Sequence, residues 1–283
     1  MFIMNNLEEL KECPNVKVNC CPHCKSTMII KYGKYNNEQR YKCKDCCKTF
    51  SARTNTPWYH SKKTLEMWMN YYYLMLNLGT LRQCAFELKI NLTTAFLWRH
   101  KILNSLEKDT YVNELMGPVH IQKRIIKENR KGQKGTAQIP QRKVWMHFSV
   151  DSNDGILGLP TCLNKWNKDN FKKIIYKKIN KLSYIHTIGD RYVEEIAKEH
   201  NKALEKDIDE ERVRVVLLVT KNISKLMIKY HGIASKYLRR YMAFAKILSM
   251  KVEFKIREII ENIFGKKVHK NINGIRKEAI VNI

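Results

Sequence analysis

The sequence predicts an α+β, multidomain chain. A small cysteine module comes first, then a helical module, then a mixed α/β domain with a basic helical tail. Three observations predict this. Two Cys-x2-Cys pairs, Cys21 with Cys24 and Cys43 with Cys46, stand eighteen residues apart. Residues 80–103 have the apolar spacing of two helices joined by a short turn. From residue 112 onward, strand-like and helix-like runs alternate. The boundaries read as a polar lead-in over 1–20, the cysteine module over 21–57, the helical module over 58–110, the mixed domain over 111–250 and the tail over 251–283.

Each Cys-x2-Cys turn sets two thiolates on one side of a tight knuckle, and two knuckles complete a tetrahedral zinc site. Residues 31–42 can form the hairpin that brings the knuckles together, so the module reads as a zinc ribbon with Cys21, Cys24, Cys43 and Cys46 as ligands. Four protein ligands close the coordination shell, which makes the zinc structural and not catalytic. The plain alternative is four unligated buried cysteines.

The helical module opens with "LEMWMNYYYLMLNL" (residues 65–78), a run too short to span a bilayer and interrupted by Glu66, which reads as a buried helix. In residues 80–103, Leu81, Ala85, Leu88, Ile90, Ala95 and Trp98 mark a helix-turn-helix. Thr93 and Thr94 stand near the second helix's start, where a hydroxyl caps free amides or meets phosphate. Arg99, His100 and Lys101 follow, as in a recognition helix lying in the major groove. An ordinary helical hairpin in a core is the competing reading.

In the mixed domain, residues 144–150 and 155–160 read as two strands around the turn "DSND". Residues 169–182 and 190–206 read as helices, 184–188 as a short strand and 212–219 as a buried strand. From Ala234 onward the chain reads as helical and basic: residues 221–283 hold 15 Lys and Arg against 4 Glu.

The 283 residues carry 53 Lys and Arg against 27 Asp and Glu, a formal charge of +26. Such an excess repels itself unless something anionic neutralises it, and double-stranded DNA does so with release of counterions. A codon bias toward Lys, Asn and Ile contributes to the charge but leaves the scarcity of acids unexplained. Arg239 and Arg240, on the basic C-terminal helices, are further candidates for phosphate contact. The first residues lack a basic stretch followed by an apolar run. The expectation is therefore an intracellular, DNA-associated protein with no membrane partner.

The order of these motifs resembles the insertion-sequence transposases of the ISXO-two-like group, whose eukaryotic relatives are the Merlin elements. "CPHC", "QRYKCKDCCKTFS", "LRQCAFEL" and "TTAFLWRHKIL" carry the likeness, and "YHGIASKYLRRYMAF" (residues 230–244) is similar to the end of that group's catalytic domain. It covers roughly Cys21 to Phe244. The resemblance implies a zinc ribbon, a helix-turn-helix and an RNase H-like DDE domain. It also implies DNA transposition with two Mg²⁺ ions held by acidic residues, and a homo-oligomer on paired DNA ends.

The matched acids are substituted. The group's first catalytic strand reads G-x-V-E-V-D-E-T, and residues 117–124, GPVHIQKR, align with it in frame. The Asp falls on Gln122 and its acidic neighbour on Lys123. The second Asp, of a T-D-G motif, falls on Ile188. The third cluster falls within residues 215–225, where the counterparts are apolar or Ser224. Mg²⁺ needs hard carboxylate oxygens. The first reading is therefore a transposase-derived DNA-binding protein with a defective catalytic domain. A second is an active enzyme with Mg²⁺ on displaced carboxylates, Asp190 and Asp151, whose simpler roles are helix cap and turn residue. A third is a zinc-ribbon transcription regulator or adaptor.

Overall fold

A computed structural model describes residues 18–36, 38–110, 112–131, 139–151, 153, 155–201, 210–231, 233–250, 273 and 275. The chain divides into two compact units, Met1–Ser105 with Val252–Ile275, and Leu106–Lys251 with Arg276–Ile283. All of the expected basic tail except Asn273 and Ile275 lies outside the described residues.

The first unit begins with an antiparallel sheet of β1 (Ile29–Tyr35), β2 (Glu38–Cys43) and β3 (Thr49–Ser51), in that order. Its inner face is a small cluster of Cys21, Cys43 and Phe50, with Val18, Ile29, Tyr41 and Cys46 against it. So few apolar side chains cannot hold three strands alone, which is why such modules depend on a metal.

Three helices follow: α1 (Leu65–Leu76), α2 (Leu81–Glu87) and α3 (Leu92–Thr110). Thr64 caps α1 through the Met67 amide, and Thr80 forms a reciprocal capping box with Gln83 at the start of α2. Gly79 is required between them, because a Cβ there would lie 2.8 Å from the Leu74 carbonyl oxygen. Trp68 of α1 stacks on Trp98 of α3 at 4.2 Å, and the Tyr71 hydroxyl donates to the Ala95 carbonyl. The run of tyrosines is therefore core, as its spacing predicts.

The second unit holds a mixed sheet ordered β6-β5-β4-β7. The strands are β4 (Val119–Lys127), β5 (Lys143–Val150), β6 (Ile156–Leu163) and β7 (Ile185–Thr187). β5 runs antiparallel to β4 and β6, and β7 runs parallel to β4. On one face, Val119, Ile121, Leu157 and Leu159 bury against Phe171 and Ile175, and against Val193, Ile196 and Ala197 of α5 (Arg191–His200). Phe171 belongs to α4 (Lys168–Ile174). The opposite face meets α6 (Glu210–Lys229) and α7 (Leu238–Ser249). Gly158 admits α7, since a Cβ there would come within 2.7 Å of the Met242 sulfur.

Two sequence expectations need correction. Residues 212–219 are not a strand but part of α6. Val216, Val219, Ile223 and Leu226 are buried at three- and four-residue steps while Leu217 and Leu218 are exposed, a helical period that eight residues read alone do not reveal. The helix expected over 169–182 ends at Ile174, and a 3-10 turn (Tyr176–Lys178) leads to extended backbone at Ile179. There Ile179 bridges to Leu115, just ahead of β4.

Candidate functional site

Cys21, Cys24, Cys43 and Cys46 converge, with all four sulfurs within 4.8 Å of one another. The Cys21 and Cys46 sulfurs are 3.6 Å apart, and those of Cys24 and Cys43 are 3.5 Å apart. A tetrahedral ion with bonds of about 2.3 Å sets sulfurs about 3.8 Å apart, so the cluster fits zinc with little movement. Among the described residues no other group of three or more His, Cys, Asp or Glu side chains comes together. The Cys46 amide leads in drawing the Cys43 thiol down to about 7. The Ser26 amide also draws Cys24 down, but burial and the neighbouring sulfurs outweigh it and leave that thiol at about 12. This cluster can hold a metal such as zinc.

In the helical part, Thr93 is exposed and Thr94 half-buried at the start of α3. The cap comes from Asn91, whose side-chain oxygen accepts from the Thr93 amide at 2.7 Å. Arg99, His100 and Lys101 do not lie on an exposed face. They belong to a stretch, residues 98–106, that is buried all round. The Arg99 guanidinium donates to the Gly79 carbonyl, and Lys101 Nζ donates to the Tyr59 carbonyl at 3.3 Å. Burial pulls the Lys101 ammonium down to about 8. These cations close the carbonyls of a tight turn and a loop, a packing role. The exposed side chains of α2 and its turn are Arg82, Gln83, Phe86, Glu87, Lys89, Asn91 and Leu92.

Arg240 is likewise buried, 3.3 Å from Glu107, so it is not offered to solvent. Arg239, partly exposed, pairs with the same Glu107 at 2.8 Å. One carboxylate thus orders both arginines.

The two positions matched to the group's first acids lie just past the β4–β7 pairing. Parallel pairing sets His120 beside His186 and Ile121 beside Thr187 and stops there, so Gln122 and Ile188 each stand one residue past the last pair, with Ile188 already outside β7. The Thr187 hydroxyl ties the two chains by donating to the Ile121 carbonyl at 2.7 Å. Past that pair stand a buried, unbonded Gln122 side-chain oxygen, within β4, and an Ile188 that is 47% exposed. Beneath them, His120 and His186 meet at 2.7 Å between Nδ1 atoms, and burial, aided by His186, pushes His120 down to about 4.

Lys123 points to the other face. It stands opposite His147 in register, and its Nζ contacts Asp190 at 3.1 Å. The rings of Tyr192 and Trp145 flank that ammonium, with centroids at 5.2 and 5.6 Å, and Trp166 stacks on Tyr192. This box was invisible in the sequence because its members come from β4, β5, α5 and the segment before α4.

The fallback acids are already engaged. β7 ends at Thr187, Gly189 turns the chain with a φ of +66°, and Asp190 caps α5 through the Tyr192 amide. Asp190 therefore faces Lys123 and not Gln122, in the simpler role of helix cap and not that of a displaced metal ligand. Burial raises its carboxyl, but His147 and Lys123 hold it below the ordinary range. At 3.7 Å His147 Nε2 is too far to hydrogen-bond, which leaves Lys123 as the bonded partner. Asp151 accepts from the amides of Met116, Asn153 and Gly155 at 3.1, 2.9 and 2.7 Å, as a buried turn residue does. The residues expected for the third acid, 215–225, lie on α6, and Asn222 donates to Ser249 at 2.8 Å.

The "HGIASKYL" segment has a structural task. The Ser235 hydroxyl accepts from the Asn129 amide, and the Ser235 amide donates to the Asn129 carbonyl, both at 2.8 Å. This clasps the start of α7 to the end of β4. Next to it, buried Glu128 binds Arg130 at 2.6 Å and Arg142 at 2.8 Å.

Comparison with known proteins finds a transposable-element relative. The chain is 35% identical over 113 residues to an uncharacterised protein in transposable element ISH50 of Halobacterium salinarum. The match takes in 40% of this chain and 38% of that protein. No protein family matches the chain, and no solved structure matches it. Among the described residues, no helix is long and apolar enough to cross a membrane.

Proposed function

We propose that this protein is a transposase-derived DNA-binding protein whose catalytic domain lacks a working two-metal site. The carrying observation is where Gln122 and Ile188 stand. Each is one residue past the last parallel pair of β4 and β7, Ile121 with Thr187, and neither offers a carboxylate. Neighbouring acids do not substitute: Asp190 serves Lys123 and a helix end, and Asp151 serves three amides. The transposable-element relative supports the origin. The mixed sheet with a central first strand supports an RNase H-like domain.

Duplex binding falls to the helix-turn-helix, with Thr93, Thr94, Arg82 and Lys89 at its exposed end and the charge of +26 supplying affinity. Arg99, His100 and Lys101 hold that module together from inside. Arg239 adds a phosphate contact only by leaving Glu107.

The test is a gel shift and a nicking assay on the same samples. Zinc-loaded protein meets end-labelled DNA that flanks its own gene, first with Mg²⁺ and then with Mn²⁺. Expected is a shifted duplex, weaker as salt rises, with no metal-dependent nick. A discrete nick would restore the enzyme reading. Failure to shift any duplex at low salt would remove DNA binding altogether.

A further inference from the structure

The zinc-ribbon sheet has a second face that its small core does not use. Residues alternate along a strand, so Ile29, Tyr41 and Cys43 turn inward while Met28, Ile30 and Tyr32 turn outward. These three are 54%, 41% and 49% exposed. Register sets Lys42 beside Ile30. The Lys42 ammonium lies 5.5 Å from the Tyr32 ring centroid and the Arg40 guanidinium 5.9 Å. Arg40 is held in place by a hydrogen bond to the Thr49 hydroxyl at 3.0 Å. The result is a half-open aromatic ring flanked by two cations on the outer face of the sheet.

We propose that this face is a stacking platform for an unpaired DNA strand. A base stacks on Tyr32, Met28 and Ile30 rest against neighbouring bases, and Arg40 and Lys42 meet phosphates. A duplex hides its base faces in its own stack, so a half-open aromatic ring finds a partner only where the strand is unpaired. Charge selects nucleic acid over protein: residues 18–57 hold eight Lys and Arg against two acids, and Glu38 is already paired with Arg53 at 3.0 Å. The free edge is also unsuited to another chain's strand. β1 carries Lys31 and Lys34, and its pairing is irregular between them. The platform is separate from the helix-turn-helix and stands or falls apart from duplex binding.

The experiment measures fluorescence anisotropy with the zinc-loaded full chain and three labelled probes: a thymidine 20-mer, an abasic strand of equal length and a 20-base-pair duplex. Tyr32→Ala weakens thymidine-strand binding by about tenfold. It leaves the abasic strand and the duplex unchanged, and Tyr32→Phe keeps wild-type affinity. Arg40→Gln with Lys42→Gln weakens both single strands and lowers their salt slope by roughly 1.4. Zinc content of each variant checks that the ribbon stays folded. Unchanged thymidine binding in Tyr32→Ala, or an equal loss on the abasic strand, overturns the platform. A dimer that dissociates on Tyr32→Ala, with strand affinity intact, overturns it in favour of a self-association surface. Strand binding that depends on Tyr32 without any duplex binding upholds the platform and removes the helix-turn-helix reading.

Discussion

The cysteine cluster and the β4–β7 pairing both gather residues that are distant in the chain. They differ in what those residues can hold. In the ribbon, four thiols come within 4.8 Å and every position suits a soft metal. Just past the β4–β7 pairing stand Gln122 and Ile188, and neither suits a hard one. The difference in tolerance is physical. The ribbon sheet buries little, so absent ligands would leave it without a fold. The larger sheet is held by Val119, Ile121, Leu157, Phe171, Val193 and their neighbours, none of which needs a metal. An amide and an isoleucine also avoid the repulsion that two close carboxylates impose without a cation.

The largest effect should come from the ribbon. Chelation, or Cys43→Ser, should remove one zinc per chain and melt the ribbon, because ligand binding there is folding free energy of order 10 kcal/mol. Metal analysis with circular dichroism checks this; an unchanged melting profile after complete zinc loss would make the two regions alike.

Next come the engaged acids of the larger sheet. Lys123→Met strands the Asp190 carboxylate in a buried site and should cost about 2 kcal/mol, and adding Asp190→Asn should recover most of it. A denaturant-measured double-mutant cycle tests the pair. Glu128→Gln should cost a similar amount, about 2 kcal/mol, since Arg142 is partly solvated. The Arg142 and Arg130 guanidiniums hold Glu128 down to about 2. A depressed carboxyl stabilises the fold above the unfolded value, about 4.3. That contribution should be lost as pH falls from there toward 2, and the Gln variant should lack this part of the acid transition.

The comparison can be inverted. Gln122→Asp with Ile188→Asp puts two carboxylates just past the last β4–β7 pair and should lower stability without metal. Mg²⁺ at 10 mM should then restore about 1 kcal/mol if binding is millimolar, a shift absent from the wild type. No Mg²⁺ response would show that side-chain direction, and not just identity, closes the site. The smallest effect belongs to Arg239→Gln, about 0.5 kcal/mol or less, because its pair with Glu107 is partly exposed.

Much of this was legible in the sequence. Cys-x2-Cys spacing is a local constraint, so the three-stranded module and the convergence of its four cysteines follow from the chain alone. So do α1, the two helices of the turn motif, the β5–β6 hairpin and the short β7, whose periods are unambiguous over their length. That Gln122 and Ile188 offer no carboxylate is a matter of identity, so the sequence alone carries it. Tertiary structure decided the rest. It made residues 212–219 a helix, because a short apolar run fits either period until its neighbours pack. It buried Arg99, Lys101 and Arg240, because a long cation can turn inward wherever a carbonyl or carboxylate waits. It sent Lys123 to the face opposite Gln122, because a strand alternates. It gave Lys123 to Asp190, because a glycine turn ends β7 one step too soon for that acid to reach the strand ends.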